Sequence, residues 1–74
     1  MFNWDDLNYF LTLSRTGKLN LASKKLKVES TTIARRVSRL ENKLNLELFI
    51  KSPKGYFLTE IGSELLKHVE RVEN

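Results

Sequence analysis

Apolar residues recur at helical spacing in four stretches of the chain, interrupted once by two short runs rich in Leu, Phe and Tyr. In the first stretch, Trp4, Leu7, Phe10, Leu11 and Ser14 share one side of a helix over residues 4–16, with Trp4 expected in the core. Asn3 is the expected cap, and Asp5 and Asp6 suit the positive end of the helix dipole. Gly17 ends this element. Asn20 then caps a short second helix with Ala22, Ser23 and Leu26 inward, the small pair allowing a steep helix crossing. Lys27-Val28 makes the break, with Val28 plugging the core.

A third helix is predicted from about Ser30 to Asn45. At about 100° per residue, Val37, Leu40 and Leu44 cluster within about 40° of Ile33, which defines the buried stripe. Thr31, Arg35, Ser38 and Asn42 lie opposite, Thr32 and Arg39 flank them, and Arg36 falls near the edge of the stripe. Leu46 to Lys51 and Tyr56 to Thr59 read as strands. Between them, Ser52-Pro53-Lys54-Gly55 carries Ser, Pro and Gly where a type I turn wants them. Thr59 caps a last helix with Glu60 in its first turn and Ile61, Leu65, Leu66, Val69 and Val72 as its apolar stripe. Two short helices, a tight break and a basic hairpin tip predict a mainly α fold, a winged helix-turn-helix. It has a three-helix core, a two-stranded β wing and a C-terminal helix.

With 74 residues there is material for one domain, near the lower size limit for a self-sufficient core. The absence of cysteine excludes disulfides and thiolate metal sites, and the core must hold by packing. No apolar run approaches the roughly 18 residues of a membrane span, and the acidic N-terminus does not read as a signal peptide, so a cytoplasmic location is expected. Charge is strongly segregated. Residues 14–58 hold eleven Lys or Arg against Glu29, Glu41 and Glu47, a net +8 between two ends of −2 each. That pattern points to a polyanionic partner.

The third helix offers the chemistry to meet one. Arg35 can give two parallel hydrogen bonds to guanine, and Thr31 offers a hydroxyl and a methyl, so these two are expected to read base edges of double-stranded DNA. Ser30 and Thr32, at the helix start, suit phosphate, while Arg36, Ser38 and Arg39 hold backbone or support the reading. Lys51 and Lys54 flank the wing turn and suit phosphate or the minor groove; Lys24, Lys25 and Lys27 supply a general attractive field. His68 has no second ligand nearby and reads as a surface residue, with no metal or cofactor expected. Nothing fixes a nucleophile beside it, and three glycines make no phosphate loop, so the chain does not read as an enzyme.

Several segments in order carry a family resemblance: Trp4-Asp5-Asp6-Leu7 with Tyr9-Phe10-Leu11, Leu19 through Leu26, and Val28 through Glu41. Leu48-Phe49, Ser52-Pro53-Lys54-Gly55-Tyr56, and Leu58-Thr59-Glu60 with Gly62 complete them. Over about residues 4 to 73 the chain resembles the N-terminal DNA-binding domain of LysR-type transcriptional regulators. The resemblance implies a third helix in the major groove and a wing on the flanking backbone. It divides the chain into a DNA-binding part, 1–58, and a linker helix, 59–74, that pairs two subunits through Leu65, Leu66, Val69 and Val72. It also implies a small-molecule effector held by a C-terminal domain that these residues do not include. Ser30 stands where many members carry Gln or His, Glu29 where Ser or Asp is frequent, and Ala34 where Ser is frequent. Two other functions fit less of the chain. A winged helix used only for protein association does not require the basic middle, and non-specific compaction of nucleic acid does not require a shaped turn or groove-facing Thr and Ser.

Overall fold

The computed structural model describes residues 4–73. Helices α1 (Trp4–Thr16), α2 (Leu19–Leu26) and α3 (Ser30–Leu44) precede a hairpin of β1 (Phe49–Ser52) and β2 (Gly55–Leu58), and α4 (Glu60–Glu73) follows. The winged helix-turn-helix predicted above is therefore the observed architecture.

Helix α1 puts Phe10 and Leu13 fully inside, with Leu11 at their side. Gly17, at φ 75°, ends it and donates its N–H to the Leu13 carbonyl at 2.8 Å. Trp4 departs from expectation. As the first residue of the helix it lies beyond the core layer and is 53% exposed. The Asn3 cap lies outside the described residues.

The second helix starts earlier than predicted. Lys18, extended at φ −137°, is its N-cap, and Asn20 lies within the first turn. Ala22 is fully buried, and Lys27 leaves the helix in the left-handed region at φ 58°, so the break falls where expected. Ile33, Val37 and Leu40 bury the inner stripe of α3, with Leu44 half-buried. Asn45, at φ 55°, closes that helix, one of the few side chains that tolerates this conformation.

The first strand is shorter than its sequence suggests, for a reason located on α3. The Glu41 carboxylate accepts the N–H of Leu48 at 2.7 Å and of Phe49 at 3.2 Å. This bonding and the burial of Leu48 shape residues 46–48 as a connector, and the ladder begins only at Phe49↔Leu58. Replacing Glu41 with alanine leaves both N–H groups without that acceptor. The expected loss is about 2 kcal/mol, or roughly 10 °C in the thermal midpoint of a domain this size. A circular-dichroism melt checks it, and an unchanged midpoint would show that water replaces the carboxylate.

The turn closes as its residues dictate. Ser52 pairs with Gly55, the Ser52 hydroxyl accepts the Lys54 N–H at 3.2 Å, and Lys54 has no positive φ, which a type II turn would need. Main-chain contact fixes the hairpin to the α1–α2 corner. The Tyr56 N–H donates to the Gly17 carbonyl at 2.7 Å, and a Cβ on Gly55 would stand 2.5 Å from that same oxygen. Inside, the rings of Phe10 and Phe49 lie 5.5 Å apart and Tyr56 meets Phe49 edge-on at 5.7 Å, joining wing and helical core.

Thr59 caps α4 as predicted: its hydroxyl accepts the Gly62 N–H at 3.0 Å and donates to the Glu47 carbonyl at 2.6 Å. Gly62 lies directly against the Leu48 carbonyl. Along the stripe of α4, Val69 is buried, Leu65 and Leu66 are half-buried against the core, and Ile61 and Val72 are exposed. No helix among the described residues is long and apolar enough to cross a membrane.

Candidate nucleic-acid interface

Because α3 buries Ile33, Val37 and Leu40, its opposite side is turned outward. Thr31 and Arg35 are exposed there, with Ser38 half-buried beside them. Arg35 makes no ion pair or hydrogen bond through its side chain among the described residues, so its whole guanidinium fork is available. Ser30 and Thr32 are half-buried at the helix start. Glu29 is the N-cap and makes no side-chain cap bond; only its carbonyl is used, by the N–H groups of Thr32 and Ile33. A carboxylate capping poorly here agrees with the long, flexible side chain at that position.

Arg36 and Arg39 behave differently. Arg36 Nη1 donates to Asp6 Oδ1 at 3.1 Å, and Arg39 Nη2 reaches both carboxylate oxygens, at 3.1 and 3.2 Å. The Asp6 side chain is 1% exposed, against 28% for Arg36 and 47% for Arg39. Asp6 looks from sequence like a helix-dipole residue; in the fold it is the hub of a three-residue ionic cluster between α1 and α3. Its signal was one arginine near the edge of the buried stripe and a second three positions on, flanking the outer face, with no local mark of the partner.

On the wing, Lys51 and Lys54 are exposed, the Lys51 ammonium lying 5.9 Å from the Tyr56 ring centroid. A crevice between the wing turn and the start of α2 brings Lys18 and Asn20 together with Ser52, Pro53 and Lys54. Nothing local in the sequence connects Lys18 with the wing, because the Tyr56-to-Gly17 main-chain bond makes that junction. Lys24, Lys25 and Lys27 are exposed and without ion pairs among the described residues.

The residues singled out on the last helix are divided by the fold. Val72 is 75% exposed, whereas Val69, at 6%, belongs to the core of one chain and offers little surface to a second. Trp4, Leu7, Leu44, Leu65 and Val72, with His68 and Val69, line an apolar groove of about 140 Å³. Among the described residues no three His, Cys, Asp or Glu side chains group to hold a metal ion.

An outward-facing helix that follows a short helix and a left-handed break, with a basic hairpin behind it, defines a winged helix-turn-helix. Residues 4–63 match the family model described as "Bacterial regulatory helix-turn-helix protein, lysR family", and the chain belongs to that family. It is 53% identical over 47 residues to the Mau operon transcriptional activator of Paracoccus denitrificans, covering 64% of this chain and 17% of that relative. It is 34% identical over 71 residues to a probable RuBisCO transcriptional regulator of Emiliania huxleyi, covering 96% of this chain and 23% of that relative. The chain thus spans about a fifth of the length of these relatives. Among solved structures, the CbnR_DBD–DNA complex matches with a TM-score of 0.92 at 30% identity, over 96% of this chain and 82% of that one. The BenM_DBD/benA site 1 DNA complex, at 18% identity and a TM-score of 0.91 over 96% of this chain and 80% of that one, shares the fold.

Proposed function

We propose that this chain is the sequence-specific, double-stranded-DNA-reading part of a LysR-type transcriptional regulator acting in the cytoplasm. The observation that carries the reading is the outer face of α3, where Thr31 and Arg35 are exposed and Arg35 has no internal partner. An arginine in that state keeps both parallel donors for a guanine edge in the major groove. Ser30, Thr32 and Ser38 support it at the groove wall, and Lys51 and Lys54 of the wing meet the flanking backbone. The similarity to a domain solved on DNA supports this assignment. No catalytic role is proposed. A winged helix serving association alone leaves the +8 middle of the chain without a task.

The reading also includes pairing of two chains through residues 59–74. Support comes from the exposure of Val72 and Trp4 beside an apolar groove, since paired subunits would cover both. Sedimentation of the 74-residue chain is expected to show self-association that Val72→Lys abolishes. A wild-type chain that stays monomeric at high concentration would remove this part of the proposal.

Fluorescence anisotropy of a labelled mixed-sequence duplex at two salt concentrations tests the DNA reading. Expected is binding that is micromolar or weaker and falls steeply with salt. A randomised duplex pool should then yield a preferred site. If no duplex binds even at low salt, or no sequence is enriched, the proposal fails.

A further inference from the structure

The ionic cluster of Asp6, Arg36 and Arg39 is built more elaborately than a clamp between α1 and α3 requires. A single arginine meeting the carboxylate with its two parallel donors would hold the helices and satisfy both oxygens. Instead two arginines converge, and each presents only one terminal nitrogen to Asp6. Each therefore keeps its Nε and a complete amino group without a hydrogen-bond partner among the described residues. The cluster has two positive charges against one. Arg36 is held from a second side as well, its guanidinium carbon 5.6 Å from the Tyr9 ring centroid. Arg39 is half exposed and lies one turn beyond Arg35, about 40° away around the helix, so its unused donors stand beside the face that reads bases.

We infer that Asp6, Arg36 and Arg39 form a preset site for a DNA backbone phosphate on the flank of the reading helix, with Asp6 the positioning residue. The inference rests on the DNA-binding proposal above. Asp6 does not touch the phosphate. It fixes two flexible guanidiniums in place before DNA arrives, so their ordering is not part of the cost of binding. Their remaining donors then face an anion with matching planar geometry. The cluster supplies register and affinity, and leaves sequence preference to Arg35 and Thr31.

Salt dependence tests the site, because its prediction has the opposite sign to bare charge counting. Removing a carboxylate beside a DNA-binding face should, on charge alone, tighten binding and steepen the salt dependence. The positioning role requires the reverse for Asp6→Asn: roughly tenfold weaker binding to every duplex, and a log K against log salt slope shallower by about one. Arg39→Gln should do the same, while the ranking of preferred over mixed duplexes stays as in wild type. Circular dichroism establishes that each variant is folded. Should Asp6→Asn unfold, Asp6→Glu keeps the charge but displaces both guanidiniums, and the same weakening with unchanged ranking is expected. The site is overturned if folded Asp6→Asn or Asp6→Glu binds as wild type or more tightly, or if Arg39→Gln leaves the slope unchanged. Arg35→Ala separates the two readings. If it loses site preference while the Asp6 and Arg39 variants change nothing, DNA reading stands and the phosphate site falls. If wild type binds no duplex, both fall.

Discussion

Replacing Arg35 with alanine is expected to lower affinity for a selected site by roughly ten- to hundredfold, and for unrelated duplex by only a few fold. The asymmetry follows from what the side chain does in each complex. On the right base the contact proposed for it is two parallel hydrogen bonds, worth about 1–3 kcal/mol of discrimination. On any other sequence it is one positive charge among many. The role is proposed for Arg35 because the fold leaves it exposed and unpaired, while the next two arginines of α3 are tied to Asp6. Arg35→Lys sharpens the test. It preserves the charge and hence the salt dependence, but an ammonium has no rigid fork, so preference should drop almost as far as with alanine. Competition titrations of both variants against selected and mixed duplexes measure the ratio. If Arg35→Ala weakens both duplexes equally, Arg35 contacts backbone and the base-reading role passes to Thr31.

The largest effect on stability is expected from a substitution that helix propensity alone would call favourable. Gly62 lies inside the first turns of α4, where alanine normally gains up to about 1 kcal/mol over glycine. Its neighbour reverses the sign. A methyl group there would overlap the Leu48 carbonyl oxygen, with the Leu58 side chain also in reach. Overpacking of this kind costs about 1–3 kcal/mol, and the upper end applies, because a backbone carbonyl cannot swing aside like a side-chain tip. That carbonyl also accepts the Thr59 N–H at 3.0 Å, so moving it loosens the cap of the same helix. For 74 residues, total stability of about 4–11 kcal/mol is typical. Gly62→Ala is therefore expected to remove a large share of it. Denaturant unfolding of both proteins gives the answer; a variant as stable as wild type would mean that α4 can lift off Leu48 at little cost.

These two positions show where sequence is informative and where it is not. The outward placement of Thr31 and Arg35 follows from the period of Ile33, Val37 and Leu40, a local pattern that any helix of this composition must obey. The Ser52–Gly55 turn and the Thr59 cap were equally legible, since turn and cap chemistry acts over three or four residues. What stayed hidden depends on residues far apart in the chain. Asp6 meets Arg36 and Arg39 across 30 and 33 positions, and Glu41 takes N–H groups 7 and 8 residues on, so strand β1 starts later than its Leu and Phe content suggests. Trp4 has the right spacing for the core stripe but stands at the end of the helix, where the period continues and the core does not. Asn20 has the right chemistry for a cap, two residues too late, because the chain already turns at Lys18. Val69 and Val72 share a stripe, yet only one of them is covered by its own chain.

The attachment of the wing to Gly17 has a consequence for how such a domain can diversify. The joint is made of main chain on both sides: a Tyr56 N–H, a Gly17 carbonyl and the bare Cα of Gly55. No side chain of the hairpin tip takes part in that joint, so the tip can exchange its residues without loosening the hinge that carries it. Lys51, Pro53 and Lys54 are thus open to variation, and on the wing contact proposed above a new flanking preference needs only single substitutions there. The two glycines are the opposite. One needs a left-handed backbone and the other cannot accept even a methyl group, which makes them the fixed mounting on which interchangeable tips are carried.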